Sequence, residues 1–146
     1  MAQEVNISAP ATRSFFDTNV LVYTDDPRDK VKQAVAIGLV RDHLRRRTGV
    51  VSLQVLLEYF VSATGKLKVA ADLAKRRVEV FANLNVVEPA VSDVLAAIDL
   101  YRLHRVSFWD ALILHSAKQA GCRVLLTEDM QHGQTIDNVK IINPFI

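Results

Sequence analysis

Acidic residues stand where short apolar runs end or where helices begin. Asp17 follows "RSFF", Glu128 and Asp129 follow "RVLLT", Asp110 lies near the start of a helical run, and Glu58 interrupts the apolar segment "LQVLLEYF". Carboxylates gathered in one place repel one another, and a bound cation relieves the repulsion. Oxygen ligands without paired histidines or cysteines suit Mg²⁺ or Mn²⁺ rather than Zn²⁺. Such an ion activates water and stabilises a leaving oxygen, so the pattern indicates phosphodiester hydrolysis.

Each acid also has an ordinary structural explanation. Asp17 can cap a turn or helix after a strand, and Asp110 stands three residues after Ser107, the spacing of a helix-capping pair. Glu58 can lie on the exposed edge of an amphipathic helix, and Glu128 can belong to a solvated turn together with Asp129. Only the joint pattern favours a common site.

The elements that must position these acids alternate along the chain. Short apolar runs separated by helical segments predict a three-layer α/β/α fold, with a central, mostly parallel sheet of about five strands flanked by helices. The predicted strands read "RSFF", "GVVS", "NVVEP", "RVLLT" and "VKIINPF". In such sheets, functional residues gather at the carboxyl ends of the strands, which is where Asp17, Glu128 and Asp129 fall.

The longest predicted helix follows the first acidic motif. Asp26 and Pro27 resemble a cap and a first helical residue, so we expect a helix from about Pro27 to Arg47 that Gly49 ends. The helical periodicity predicts an apolar face that comprises Val31, Ala34, Val35, Gly38 and Leu39.

Composition limits the class of protein. The chain has 146 residues, of which 50% are hydrophobic and 23% charged, so we expect a single domain over residues 1–146, with residues 1–12 as a weakly ordered extension. No apolar run is long enough to span a bilayer, and the opening residues carry Glu4 and lack the apolar core of a signal peptide. Cys122 is the only cysteine, which excludes an intrachain disulfide. A cytoplasmic, membrane-free location is the simplest expectation.

Four ordered motifs carry a resemblance to a known family. "FFDTNVLVY", "SLQVLLEYF", "SFWDALILHSA" and "LLTEDMQHG" follow one another as in PIN domains, the nuclease fold named after the PilT N-terminus. The resemblance extends from about Ser14 to the end of the chain and is greatest to the VapC toxins of bacterial VapBC toxin–antitoxin modules. Every motif has its acid, so the pattern is not that of a catalytically dead copy.

The resemblance implies a metal-dependent endoribonuclease that cuts structured RNA, either transfer RNA or ribosomal RNA. Its acids would be Asp17, Glu58, Asp110 and Asp129, with Asp17 and Asp110 as the principal ligands of Mg²⁺, for which Mn²⁺ can substitute. Further expectations are a cognate VapB-type antitoxin that covers the acidic site, and a homodimer. The supporting residues would be Thr18, Asn19, Thr127, Glu128 and His132, which fix the carboxylates or help to place RNA.

Two other functions remain open from the residues. An aspartate after a strand can be the nucleophile of a haloacid-dehalogenase type phosphatase, but such enzymes need a second aspartate where this chain has Asn19. A non-catalytic scaffold that binds RNA or protein would hold its ion for structure alone. The basic run Arg41–Arg47 is either an RNA-contacting patch or a solvated helix end. The number of metal ions, the RNA and its cut site, and the identity of the antitoxin are left open by the sequence.

Overall fold

The computed structural model describes residues 12–146, so the predicted extension over residues 1–12 falls almost entirely outside the described part of the chain. Within this described range, six strands form one sheet: β1 (Arg13–Phe16), β2 (Gly49–Ser52), β3 (Asn85–Val87), β4 (Cys122–Leu126), β5 (Thr135–Ile136) and β6 (Val139–Ile142). The same residues contain six helices: α1 (Thr18–Tyr23), α2 (Lys30–Arg46), α3 (Leu53–Gly65), α4 (Ala71–Phe81), α5 (Val91–Leu103) and α6 (Phe108–Gln119).

The sheet runs in the order β3-β2-β1-β4-β6-β5, and every pairing is parallel except that of β5 with β6. The predicted class of fold is confirmed. The strand beyond the expected five is β5, a two-residue strand whose "TI" is too short to give an alternating pattern. Chain connections change direction between β1 and β4, which is the topological switch point where α/β folds bind their ligands.

The strands at this switch point are buried. Phe15, Phe16 and Leu125 have no exposed surface or almost none, and Phe16 pairs with Leu126 at the carboxyl end of β1 and β4. The thiol of Cys122 is also buried, and burial raises its pKa to about 12, so it stays protonated and unreactive. Between residues 12 and 146, no helix combines the length and apolar character needed to cross a membrane.

The prediction for α2 was wrong at its start, whereas its expected end near Arg47 is confirmed within one residue. Asp29 caps the helix by accepting a hydrogen bond from the Lys32 amide at 3.0 Å. Asp26 is instead held in the preceding turn by the side chain and backbone N–H of Arg28, and this contact lowers the pKa of the Asp26 carboxyl. Arg46 is the last helical residue, and Arg47, rather than the predicted Gly49, caps the helix in a left-handed conformation with φ of 58°.

The buried face of α2 also differs from the prediction. Ala36, Val40 and His43 are buried, whereas Val31 is 76% exposed. Apolar periodicity does not mark His43, whose ring nitrogen is satisfied inside the fold by the Thr48 hydroxyl at 2.7 Å. The helix is therefore rotated away from the predicted face.

Gly49 belongs to β2 rather than to the end of α2. A Cβ at this position would lie 2.6 Å from Leu84 Cδ2 and 3.1 Å from His43 Cβ. Glycine is used here for the close approach of the strand to its neighbours.

A polar network around a buried carboxylate joins the turn after α1 to α3 and α4. The Asp25 side chain, only 7% exposed, pairs with Arg77 Nε at 2.9 Å and accepts a short hydrogen bond from the Tyr59 hydroxyl. Burial, followed by the bond to Asp25, raises the pKa of the Tyr59 phenol above its ordinary value, so the hydroxyl remains a donor. The network satisfies both oxygens of a carboxylate that the fold removes from water.

Candidate functional site

Asp17 lies where β1 ends and caps α1. Its side chain is buried, and Oδ1 accepts the Thr18 amide at 2.7 Å while Oδ2 accepts the Thr127 hydroxyl at 2.8 Å. Burial raises the pKa of Asp17 to about 6; the bonds from Thr127 and Thr18 oppose this rise, and the charges of Asp110 and Asp129 add to it. The site therefore holds a carboxylate whose charge the protein alone compensates poorly.

Asn19 connects the ends of β1 and β4. Its side-chain Nδ2 donates to Asp129 Oδ2 at 2.9 Å, to Thr127 Oγ1 at 3.2 Å and to Asp17 Oδ2 at 3.3 Å. Its Oδ1 accepts the Glu128 amide at 3.2 Å. One amide group thus ties together two acids that are more than a hundred residues apart in the chain.

Glu58 reaches the site from the second turn of α3. Ser52 starts this helix by accepting a hydrogen bond from the Val55 amide, and the helix turns Glu58 towards α1. Glu58 Oε2 accepts the Thr18 hydroxyl at 2.7 Å, and Oε1 accepts Gln54 Nε2 at 2.7 Å. The charge inside an apolar helix is thereby held in one orientation beside Asp17.

Asp110 lies in the first turn of α6, where the Ser107 hydroxyl accepts its backbone N–H at 3.1 Å. The predicted capping arrangement is present, but it does not explain why the pKa of the Asp110 side chain is raised. Burial raises the pKa of Asp110, with the charges of Asp129 and Glu58 as further causes, and the contact with Ser107 opposes the rise. Asp110 therefore belongs to the same group of mutually repelling acids.

The turn after β4 presents its two acids in different directions. Asp129 faces Asn19, and its backbone N–H donates to Thr127 Oγ1 at 3.1 Å. Glu128 points to another cluster, where its carboxylate binds Tyr23 and Lys32. Glu128 therefore lies in the site's supporting layer rather than among the acids that face Asp17.

His132 is the supporting residue with the weakest link to the site. Its Nδ1 accepts the backbone N–H of Asn143 at 3.0 Å, and none of its hydrogen bonds within residues 12–146 reaches an acid of the cluster. The structure brings together the other sequence-predicted residues: Asp17, Thr18, Asn19, Glu58, Asp110, Thr127 and Asp129.

The sequence pattern missed Gln54, Tyr23 and Lys32. Gln54 stands one helical turn before Glu58, so i to i+4 spacing would have pointed to it. Tyr23 and Lys32 meet Glu128 only through the fold, across about a hundred residues of chain, and no local signal marks them.

The side chains that could bind a metal in this site match the chemistry of Mg²⁺ or Mn²⁺, since they offer carboxylate and hydroxyl oxygens. Over residues 12–146, however, no three histidine, cysteine or acidic side chains converge closely enough to form a ready-made set of ligands. The site is an open acidic cluster and not a closed cage. Mg²⁺ keeps several of its waters and takes only one or two carboxylates, so an open cluster headed by the poorly compensated Asp17 fits such an ion.

The fold and this cluster define an α/β domain with an acidic site at its switch point. The model of the PIN domain family matches residues 14–135, and the chain belongs to that family. The resemblance seen in the four motifs is thereby confirmed.

Solved structures share this fold at low sequence identity. A toxin–antitoxin complex from Klebsiella pneumoniae has a TM-score of 0.64 and 19% identity, covering 90% of this chain and 97% of that one. A sarcin–ricin loop cleaving VapC toxin of Mycobacterium tuberculosis has a TM-score of 0.62 and 16% identity, covering 80% and 91%. DNA-bound VapBC from Salmonella typhimurium has a TM-score of 0.63 and 20% identity, covering 90% and 97%. No curated protein sequence matches the chain.

Proposed function

We propose that this PIN domain is a Mg²⁺- or Mn²⁺-dependent endoribonuclease toxin that hydrolyses phosphodiester bonds of structured RNA and is neutralised by a cognate antitoxin. The observation that carries the proposal is the buried Asp17 carboxylate at the switch point of the sheet, whose pKa the charges of Asp110 and Asp129 help to raise, with Glu58 acting in turn on Asp110. The toxin–antitoxin complexes and the RNA-cleaving toxin among the structural neighbours support the same function. A homodimer, and transfer or ribosomal RNA as substrate, belong to the proposal.

The roles of the acids follow from their surroundings. Asp17 and Asp110 would hold the ion, because burial and mutual repulsion make both carboxylates depend on a positive charge. Asp17 Oδ2 accepts hydrogen bonds from both Thr127 and Asn19, whereas Oδ1 accepts only the Thr18 amide and keeps a second lone pair for the ion. When bound, the ion supplies a Lewis acid for a phosphate oxygen and lowers the pKa of water. Glu58 and Asp129, fixed by Thr18 and Asn19, orient water for attack.

The direct test of function is incubation of antitoxin-free protein with transfer RNA and ribosomal RNA in Mg²⁺, Mn²⁺ or EDTA. Discrete fragments are expected with either metal and none with EDTA. Asp99→Asn provides a matched control, because Asp99 is an exposed acid of α5 and should cut at the wild-type rate. Intact RNA in every lane from folded protein would instead favour the non-catalytic binding scaffold.

Metal binding is testable without any substrate. Since the ion binds the folded site and not the unfolded chain, free Mg²⁺ at about 100 times its dissociation constant should raise the free energy of unfolding by about 2.7 kcal/mol. Thermal melts over a Mg²⁺ titration measure this. The gain should persist in Asp99→Asn and be largely lost in Asp110→Asn; an equal gain in all three proteins would place the ion elsewhere.

A further inference from the structure

Glu128 stands next to Asp129 in the chain but is held outside the acidic cluster. The Tyr23 hydroxyl donates to Glu128 Oε1 at 2.8 Å, and Lys32 Nζ donates to Oε2 at 2.9 Å. Lys32 Nζ also lies 3.4 Å from the Tyr23 hydroxyl. Both oxygens of the carboxylate thus have partners, and neither partner is a residue of the acidic cluster.

The group around Glu128 differs from the ion pairs on the surface of this protein. Arg45 pairs with Asp42 within one helix, and its side chain is 77% exposed, which makes such a pair nearly neutral for stability. Lys32 and Glu128 are only 31% and 27% exposed. The Lys32 ammonium lies 5.1 Å from the centre of the Tyr23 ring and 5.7 Å from that of Phe145. The group joins α1, α2, the turn after β4 and the carboxyl-terminal segment.

The turn after β4, which contains Glu128, also fixes the orientation of the Asn19 amide. The Glu128 backbone N–H donates to Asn19 Oδ1, which leaves Asn19 Nδ2 to face Asp129 and Asp17. If the turn moved, the Asn19 amide would lose the contact that fixes its direction, and its oxygen could face the carboxylates. Placement of Glu128 is therefore coupled through one amide to two acids of the site.

We propose that Lys32 and Tyr23 are positioning residues, which hold Glu128 outside the acidic cluster and so fix Asn19 and Asp129 for catalysis. The inference rests on the proposed nuclease function. We call the contacts of Lys32 and Tyr23 with the Glu128 carboxylate the clamp. Without the clamp, Glu128 is free to rotate towards the cluster as a fifth carboxylate, and the Asn19 amide loses its fixed direction. Lys32 thus acts on the reaction through Glu128 and not through contact with RNA.

Enzyme kinetics distinguish these two roles of Lys32. Lys32→Met should lower kcat by about tenfold, the lower end of the effect of removing an outer partner of a metal site, and leave KM for RNA nearly unchanged. Lys32→Arg, which can still bind both Glu128 and Tyr23, should recover most of kcat. Lys30→Met removes an exposed lysine from the same turn of α2 and should behave as wild type. A raised KM with unchanged kcat in Lys32→Met would overturn the proposal and indicate a phosphate contact.

A double-mutant comparison tests whether Lys32 acts through Glu128. In a Glu128→Gln background, Lys32→Met should cause little further loss of kcat, because the ion pair is already gone. If the double variant instead lost kcat by the product of the two single losses, Lys32 would not act through Glu128.

Amide exchange measured without metal or RNA separates this inference from the proposed function. The Glu128 N–H should exchange at least about tenfold faster in Lys32→Met than in wild type or Lys30→Met, since its contact with Asn19 Oδ1 weakens. Unchanged exchange would overturn the clamp even if the protein cuts RNA. Faster exchange in a protein that cuts no RNA would retain the clamp and reject the nuclease.

Discussion

Asp17→Asn is expected to abolish metal-dependent RNA cleavage while making the metal-free protein more stable. The substitution removes the carboxylate at the centre of the acidic cluster, and we expect activity to fall by at least about a thousandfold, or roughly 4 kcal/mol of lost transition-state stabilisation. Single-turnover cleavage of the identified RNA in saturating Mn²⁺ measures the loss. Cleavage within about tenfold of wild type would remove Asp17 from the catalytic centre.

The gain in stability follows from the raised pKa of Asp17, which is about 6 in the folded protein against an ordinary value of 3.8. At about 1.36 kcal/mol for each pKa unit, ionised Asp17 costs the metal-free fold at most about 3 kcal/mol at neutral pH. Below pH 4 the carboxyl is protonated in both the folded and the unfolded chain, so the cost disappears. It grows between pH 4 and pH 6 and is constant above that range.

Urea unfolding of wild type and Asp17→Asn in EDTA, over the range from pH 4 to pH 8, tests whether ionised Asp17 destabilises the metal-free fold. The variant should be the more stable protein above pH 6, and the difference should shrink towards pH 4. The measured gain should be smaller than the limit, because an asparagine side chain cannot accept every hydrogen bond that Thr18, Asn19 and Thr127 donate to Asp17. If the stability of Asp17→Asn relative to wild type instead fell as the pH rose from 4 to 7, the raised pKa of Asp17 would be contradicted.

Arg77→Leu is expected to destabilise the fold by about 2 kcal/mol, since it leaves the Asp25 carboxylate buried with Tyr59 as its remaining partner. Arg77 is itself 42% exposed, so water can replace part of the lost contact and the cost stays below that of a fully buried pair. Equilibrium unfolding in urea measures the change in the free energy of unfolding.

The neighbouring Arg76 provides the matched control. It pairs with Asp72 one turn earlier on the same helix, and both side chains are about 70% exposed, so Arg76→Leu should cost less than about 0.5 kcal/mol. Equal losses in the two variants would mean that the effect comes from the helix surface and not from the buried network. A double variant with Asp25→Asn should recover part of the Arg77→Leu loss, because the unpaired charge is then absent.

The fold class could be predicted from the sequence because the strands are short apolar runs and the acids mark their ends. The acids of the candidate site were proposed for the same reason, since Asp17, Asp110 and Asp129 all stand at the boundary of an element, and their function stays a prediction. The start of α2 could not be predicted, since Asp26 and Asp29 are both suitable caps and the choice depends on Arg28 binding Asp26. The buried His43 was missed because its burial requires Thr48, a partner that periodicity does not reveal.

The supporting layer of the site was the least predictable part. Glu128 and Asp129 are adjacent acids after a strand, and nothing local determines which of them faces Asp17. That choice depends on Tyr23 and Lys32, which come from other elements. Contacts that form only between distant segments leave no periodic pattern in the sequence.

The parallel pairing of β1 with β4 also sets when the site can exist during synthesis. Asp17 receives its hydroxyl donor from Thr127, and Asn19 receives its partners from Glu128 and Asp129. A nascent chain that ends before β4 carries three of the acids but lacks the strand that completes their surroundings. If the protein cuts RNA as proposed, this order of assembly postpones activity until β4 and the turn after it have left the ribosome, which limits damage to the machinery that is still making the chain.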